Sequence, residues 1–385
     1  MPTNQTKKKL IRVSTVPLSL SGLLTGQLKF MSDYFEVIGV SSNRTNQLDI
    51  VHKQEGIRTI PVDMYRQISP IKDLMAIWEL YKVFKREKPF IVHSITPKAG
   101  LLSMVAAKFA GVPHRLHTFT GLIFPYKTGV LQKILIFTDK ILCACATNIY
   151  PEGKGVENDL KAYHITSKPL NVIGNGNVNG IDLDFYSTQH YNEDFKRVLK
   201  KDLQINTDDY VFVFVGRLVR DKGINELVSV FNKLNEEVKN IKLLLVGDYE
   251  ATLDPLDADT LQSISDNKNI ITTGWVDDVR PYFAISNCLT FPSYREGFPN
   301  VVLQAGAMGL PCIVTDISGC NEIIIEGQNG IIIPVKDKSL LYEHMLSIYQ
   351  KKIQFNPVTC RELIASRYEQ SLLWRAVLNE YNRLN

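Results

Sequence analysis

Three side chains stand out in this chain of 385 residues, a carboxylate and two cations, each where an apolar run gives way to a turn. Glu296 lies in the stretch Phe291-Pro-Ser-Tyr-Arg-Glu-Gly-Phe-Pro-Asn-Val-Val-Leu-Gln-Ala-Gly-Ala-Met-Gly309. The apolar run Cys288 to Pro292 ends in a polar turn holding Glu296 and Gly297, and Phe298-Pro299-Asn300 leads into a helix-like stretch from Val301 to Met308. The pattern reads as a strand, an elbow and a helix start. Pro299 suits a first helical turn, so the amides around Asn300 and Val301 are expected to point outward without helical partners. Such amides bind anions. Glu296 is open to two readings, a first-turn acid facing the helix dipole or a carboxylate presented to a ligand. Arg217 and Lys222 lie between the continuous apolar strand Tyr210 to Gly216, of the buried parallel kind, and Gly223. A cation pair there suits an anionic ligand, and a chance basic pair is the bland alternative.

The region after the elbow adds linked motifs. Leu310 to Asp316 reads as another buried strand, Ile317 to Asn321 as a turn, and Glu322 to Gly330 as a short helix closed by glycine. Glu296-Gly-Phe-Pro299, Gln304-Ala305, Gly319, Glu322-Ile323 and Asn329-Gly330 resemble the donor-site signature of glycosyltransferase family 4, retaining enzymes of the GT-B fold. The resemblance is strong over residues 210–335 and looser before 180. It implies an α/β protein of two Rossmann-like domains facing across a cleft. Residues 1–180 would bind the acceptor, residues 181–357 a nucleotide sugar, and a terminal helix in 358–385 would cross back onto the first domain.

The resemblance also assigns roles. Glu296 would accept hydrogen bonds from hydroxyls of the donor sugar as an oxocarbenium-like transition state develops. Arg217, Lys222 and the amides of Gly297, Phe298, Asn300 and Val301 around Pro299 would hold the donor diphosphate, whose departure builds charge that fixed cations and helix amides stabilise without a metal, with Gly216 also in the donor site. Trp275-Val-Asp-Asp-Val279 resembles the segment whose backbone holds the nucleobase, which places Val276 there. The family's second glutamate, eight positions after the first, is Gln304, whose amide can accept from one ribose hydroxyl and donate to the other. In the first domain, Gly22, Thr120 and Gly121 would contact the acceptor or the transferred sugar. Thr120 stands where many family members carry a histidine, and His117, three residues along a strand, points to the opposite face. Asp182-Leu-Asp184 has the spacing of a metal-binding pair, but within a linker it is expected to cap a turn. The expected substrate is a UDP-linked sugar, with no cofactor and no metal.

The elements that must position these residues follow from composition and periodicity. A chain this long exceeds one ordinary core. Residues 1–180 hold 23 Lys and Arg against 12 Asp and Glu, and residues 181–385 hold 21 against 28, so the first half carries about +11 and the second about −7. A basic first domain suits an anionic membrane surface or a phosphate-bearing substrate, with an incidental distribution as the alternative. Six cysteines without metal-type spacing or a disulfide framework read as small buried side chains and favour a reducing compartment. Lys7-Lys-Lys9 and the apolar stretch after it lack a cleavage pattern, so Leu10 to Val16 is read as the first strand. The most apolar helical stretch, Val130 to Tyr150, is broken by Lys133, Asp139 and Lys140. The basic first domain, Pro97-Lys-Ala-Gly100 and Thr120-Gly-Leu122 also resemble bacterial enzymes of capsule, exopolysaccharide or glycan-precursor assembly, which implies a cytoplasmic protein peripheral on the inner membrane, a polyprenyl diphosphate-linked saccharide as acceptor and no nucleic acid partner.

Along the chain, Pro17 to Gly26 is a loop over a strand end without the Gly-x-Gly-x-x-Gly of a dehydrogenase. Ile71 to Lys88 is an amphipathic helix with Leu74, Ile77, Trp78, Tyr81 and Phe84 on its core face. Strands follow at Phe90 to His93 and Arg115 to Gly121, with a helix from Leu101 to Ala110 between them. His93 is read as a packed histidine at a strand end. Leu122 to Gly129 sets aromatics beside lysine, for a lipid interface, an acceptor or plain packing. Asn171 to Gly180 is the linker. A helix from Ile224 to about Leu234, strands Ile241 to Val246 and Ile270 to Val276, and a helical tail from Thr359 to Leu384 complete the plan. Two other classes share the architecture, a sugar-nucleotide epimerase and a scaffold that binds nucleotide sugar without turnover.

Overall fold

The computed structural model describes residues 7–43, 47–65, 67, 69–250 and 252–384. The chain divides into two compact units, residues 1–180 with 370–385 and residues 181–369. Each is built on a parallel sheet of six strands. In the first the order is β3-β2-β1-β4-β5-β6, from β1 (Lys9–Val13), β2 (Glu36–Ser41), β3 (Arg58–Pro61), β4 (Ile91–Ile95), β5 (His114–Phe119) and β6 (Asn148–Pro151). In the second it is β12-β11-β10-β7-β8-β9, from β7 (Tyr210–Val215), β8 (Ile241–Val246), β9 (Ile270–Gly274), β10 (Cys288–Phe291), β11 (Cys312–Thr315) and β12 (Gly330–Ile333). The central strands are buried almost throughout, as sheets covered on both faces require, although β1 and β4 carry the buried polar residues Arg12, His93 and Ser94. In β7 every residue from Val211 to Val215 is buried.

The linker ends where the units divide, at Gly180. Asp182 accepts from the amides of Asp184 and Phe185 at 3.0 and 2.9 Å, the turn cap expected of it. All six cysteines are buried. Burial pushes the Cys143 thiol up to about 12 and Cys360 to about 11, so neither is a nucleophile in the folded chain.

Several elements differ from expectation. The helix spans Pro70–Glu87, and its buried positions are Ala76, Leu80, Val83, Phe84 and Glu87. Leu74 and Trp78 face solvent. The helix has two apolar faces, and the narrower one with Ala76 meets the protein, because a small residue lets the helix approach its neighbour. The next helix starts at Pro97, four residues earlier than the periodicity indicates, since Pro at the first helical position is well tolerated. Strand β5 stops at Phe119, which leaves Thr120 and Gly121 in the loop beyond it. Between β11 and β12 only Cys320–Ile323 is helical, and the segment to Gly330 is a turn held by Asn329, whose carbonyl oxygen Oδ1 accepts from the Ile325 amide at 2.7 Å.

The tail is two helices, Pro357–Tyr368 in the second unit and Gln370–Asn382 in the first. At the break, the Ile181 amide donates to the Tyr368 carbonyl at 2.8 Å. The last helix buries Leu373, Val377, Leu378 and Tyr381.

Candidate functional site

In an open parallel sheet, two neighbouring strands whose connections leave toward opposite faces create a crevice at their carboxyl ends. In the second unit this point lies between β7 and β10. Arg217 and Lys222 follow β7, and Glu296 follows β10. The strand order alone therefore draws together loops about 75 residues apart, as the 74-residue separation of Lys222 and Glu296 records.

Lys222 Nζ forms an ion pair with the Glu296 carboxylate, both side chains largely withdrawn from solvent at 17% and 16% exposure. Ser293 Oγ donates to the same carboxylate oxygen at 3.1 Å. Ser293 is itself tied down, its carbonyl accepting from Thr315 Oγ1 at the end of β11. The carboxylate thus has one orientation, set by the ends of three adjacent strands. Lys222 Nζ also lies 5.7 Å over the Phe291 ring.

Close backbone approaches hold the two loops together. Tyr294 donates its amide to the Asp221 carbonyl at 2.8 Å, and Arg295 pairs with Asp221 at 2.6 Å. Gly223 has φ +72°, and a Cβ there would lie 2.1 Å from the Pro292 carbonyl oxygen. Gly319, φ +76°, gives the same access on the other side of the elbow, where a Cβ would meet Gly297, Phe298 and Pro299 at 2.7 Å. Only glycine fits both demands.

The elbow then enters the helix Asn300–Ala307, with the amide of Val302 donating to the Pro299 carbonyl at 3.1 Å. Gly297 precedes the buried Phe298, whose ring packs edge-on against Tyr368 at 5.6 Å. Asn300 is exposed and Val301 half-buried in the first turn. One turn on, the Gln304 amide nitrogen donates to the Tyr186 hydroxyl at 2.8 Å. Burial pushes that phenol up to about 12, so it stays protonated.

Other expected residues sit along the same sheet edge without joining the pair. Arg217 is 55% exposed, its guanidinium 3.7 Å from Glu250. Gly216 donates its amide to Val246 at 2.9 Å. Val276 is half-buried against the core just beyond β9, and the neighbouring Trp275 amide donates to Asp248 at 2.9 Å. Sequence reasoning assigned no task to Ser293, Asp221 or Tyr186. Ser293 carried a signal, a small hydroxyl just past a buried strand; Tyr186 carried none, being 118 residues from Gln304.

The first unit has its switch point between β1 and β4. A cavity of about 380 Å³ lies there, lined by Thr15 and Thr96 from the strand ends, by Lys98 in the first turn of the helix from Pro97, by Gly121, and by Ile134 and Asp139 of the helix Gly129–Cys145. Its walls are mostly apolar, and burial lifts the Asp139 carboxyl to about 7. Lys98 pairs with Asp73 at 2.5 Å. Of the first-domain residues read from sequence, Gly121 lines this cavity, whereas Thr120 and Gly22 do not; Gly22 closes the short helix Pro17–Ser21. His93 and His117 are buried, and His117 accepts a packing role against Gly100, where a Cβ would stand 2.4 Å from its ring.

Residues 209–351 match the family model described as glycosyl transferases group 1, and residues 23–152 match the one described as glycosyl transferase 4-like. The chain belongs to glycosyltransferase family 4. This glycosyltransferase is 28% identical over 378 residues to the capsular polysaccharide biosynthesis glycosyltransferase CapM of Staphylococcus aureus, covering 97% of each chain. It is 27% identical over 383 residues to the UDP-Gal:alpha-D-GlcNAc-diphosphoundecaprenol alpha-1,3-galactosyltransferase of Escherichia coli, covering 96% of this chain and 95% of that one. Its fold matches Anabaena HepE, crystallised with UDP, at a TM-score of 0.79 and 15% identity over 98% of this chain and all of that one. Two six-stranded units of this kind make it a GT-B enzyme.

Proposed function

We propose that this glycosyltransferase moves one sugar from a UDP-linked donor to a saccharide carried on a polyprenyl diphosphate, retaining the donor's anomeric configuration. The setting would be assembly of a bacterial surface polysaccharide at the cytoplasmic face of the inner membrane. The observation that carries the reading is the cluster of Lys222, Glu296 and Ser293 at the β7/β10 switch point. Relatives named for capsule synthesis and for a diphosphoundecaprenol-linked acceptor support the substrate classes.

As the bond to the nucleoside diphosphate breaks, negative charge grows on its oxygens and positive charge on the sugar carbon. Lys222 supplies a fixed cation for the first, aided by Arg217, whose exposed side chain has room to swing in, and by the helix start at Asn300. Glu296, an acceptor only when ionised, takes hydrogen bonds from donor-sugar hydroxyls, and Ser293 keeps it aimed. Gln304 lies one turn into the helix for the ribose, Val276 near the base. The cavity at the β1/β4 switch point, with Gly121 on its wall, is the place for the acceptor.

The test is sugar transfer from UDP-sugars to a short-chain lipid-linked acceptor. Lys222→Ala and Glu296→Gln should each lower kcat by about 100-fold or more, with circular dichroism unchanged. UDP should raise the melting temperature of Glu296→Gln but not of Lys222→Ala. Wild-type turnover in both variants would reject the assignment.

A further inference from the structure

The first unit carries an apolar surface that neither proposed binding site uses. Along the helix Pro70–Glu87, Ile71, Leu74, Met75 and Trp78 recur at helical spacing and are all exposed, Trp78 by 60%. Trp78 stacks on Tyr81 with ring centroids 5.3 Å apart. Leu74, Ile77, Trp78 and Tyr81, with Ala106 and Phe109 of the adjacent helix Pro97–Ala110, line an open groove of about 520 Å³. The helix Gly129–Cys145 repeats the pattern with Val130, Ile134 and Phe137 exposed, Phe137 by 63%. Scattered surface apolar residues need no explanation, but two parallel stripes do.

The two stripes share one edge of the unit. In a parallel sheet every connecting helix returns from the carboxyl end of one strand to the start of the next, so both helices begin where the strands end. Asp73, Leu101 and Ile134 line a single cavity, which shows the first halves of the three helices converging there. The apolar stripes occupy those first halves, beside the proposed acceptor cavity.

We infer that these two helices dock the enzyme on an anionic lipid bilayer, lying in the interface with Trp78 and Phe137 in the acyl boundary. Among the described residues no helix is long and apolar enough to cross a membrane. Charge selects the bilayer over a second copy of the chain. Residues 70–145 contain eleven Lys and Arg against four Asp and Glu. Three of those acids are paired, Asp73 with Lys98, Glu79 with Lys82 and Glu87 with Lys9, Arg58 and Arg86, and the fourth, Asp139, lines the cavity, so eight of the eleven Lys and Arg lie outside these pairs. A two-fold copy would set this positive surface against itself. Phosphatidylglycerol headgroups would neutralise it. The purpose of docking, delivery of a lipid-linked acceptor, rests on the proposed function; the docking itself rests on the surface.

Sedimentation of the full chain with vesicles tests it. Wild-type protein should bind vesicles containing phosphatidylglycerol, bind phosphatidylcholine vesicles poorly, and come off in high salt. Trp78→Glu and Phe137→Glu should each weaken binding by about tenfold or more. Lys82→Gln and Lys85→Gln should each weaken it by about fivefold on anionic vesicles only. Both carboxylate substitutions are on exposed positions, and a melting curve checks that the fold is kept. Undiminished binding by Trp78→Glu, equal binding to neutral vesicles, or a wild-type dimer that Trp78→Glu converts to monomer would each overturn the inference. Transfer to a dispersed short-chain acceptor should be unchanged in Trp78→Glu while transfer to a long-chain acceptor in vesicles falls. A wild-type enzyme that transfers to neither acceptor yet binds vesicles as described would refute the proposed function alone.

Discussion

Gln304 differs from a glutamate by one nitrogen, and that nitrogen is in use, donating to Tyr186. One N–H and the amide oxygen are left for the proposed donor site, where they can donate to one ribose hydroxyl and accept from the other. A glutamate would accept from the Tyr186 hydroxyl instead, with the tyrosine turning donor, and would accept from both ribose hydroxyls. Gln304→Glu should therefore bind UDP at least as tightly as wild type. Gln304→Leu keeps the size and loses both roles, so its Kd for UDP should rise by about tenfold, the worth of one good hydrogen bond. Calorimetric titration of the two variants decides. If Gln304→Leu binds UDP normally, the side chain serves only to seat Tyr186, and Tyr186→Phe should then show the same loss of melting temperature as Gln304→Leu.

At the scale of elements, the site depends on two loops meeting backbone to backbone. Gly223 is the tightest approach, with its φ of +72° and the Pro292 carbonyl where a Cβ would be. Gly223→Ala must pay about 1 kcal/mol for the left-handed backbone and more for pushing the loops apart. The melting temperature should drop by several degrees and kcat should fall at least tenfold as Lys222 and Glu296 separate. Retained kcat with a lowered melting temperature would show that the pair tolerates the shift. Much of this arrangement was legible beforehand, because strands such as β7 are continuous apolar runs and the elbow motif names its own turn. What was not legible came from partners distant in sequence. The 70–87 helix has two apolar faces, and only the packed fold shows which one is buried. The tail breaks at Glu369 without a glycine or proline, through a bridge to Ile181. Tyr381 hydrogen-bonds Arg12 at 2.7 Å across 369 residues.

Across the whole molecule, the buried titratable groups of the first unit make its stability depend on pH, and the sign follows from three of them. His93 Nδ1 accepts from Arg12 and Tyr381 at 3.1 and 2.7 Å, and its Nε2 donates to Thr118 at 2.8 Å. Burial, then the Arg12 charge and His117, hold its pKa well below the usual histidine value, and burial takes His117 down to about 3. In the unfolded chain both rings titrate near 6.5. Below about pH 6.5 the unfolded state therefore binds two protons that the native state does not, and stability falls as pH falls, until the native rings themselves protonate. Asp139 acts the other way. Its native carboxyl stays protonated below about 7 while the unfolded one ionises down to about 4, which favours the folded state as pH falls through that window. Among these three groups the two histidines outweigh the one carboxyl, so their net effect is a loss of stability as pH falls below about 6. Glu87, held to about 2 by hydrogen bonds from Arg58, adds a loss of the same sign at lower pH. Trp374 reports on this unit, its ring 5.4 Å from Phe30 and its indole nitrogen 2.8 Å from Asn179. With Trp78→Phe and Trp275→Phe in the background, urea unfolding followed by Trp374 fluorescence should give a midpoint that declines steadily from neutral pH toward 5. Asp139→Asn removes the opposing proton and should steepen the decline. A midpoint that stays flat or rises over this range would mean that the two buried histidines take up protons in the native state, and that the neutral ring at the junction of Arg12 and Tyr381 is wrongly assigned.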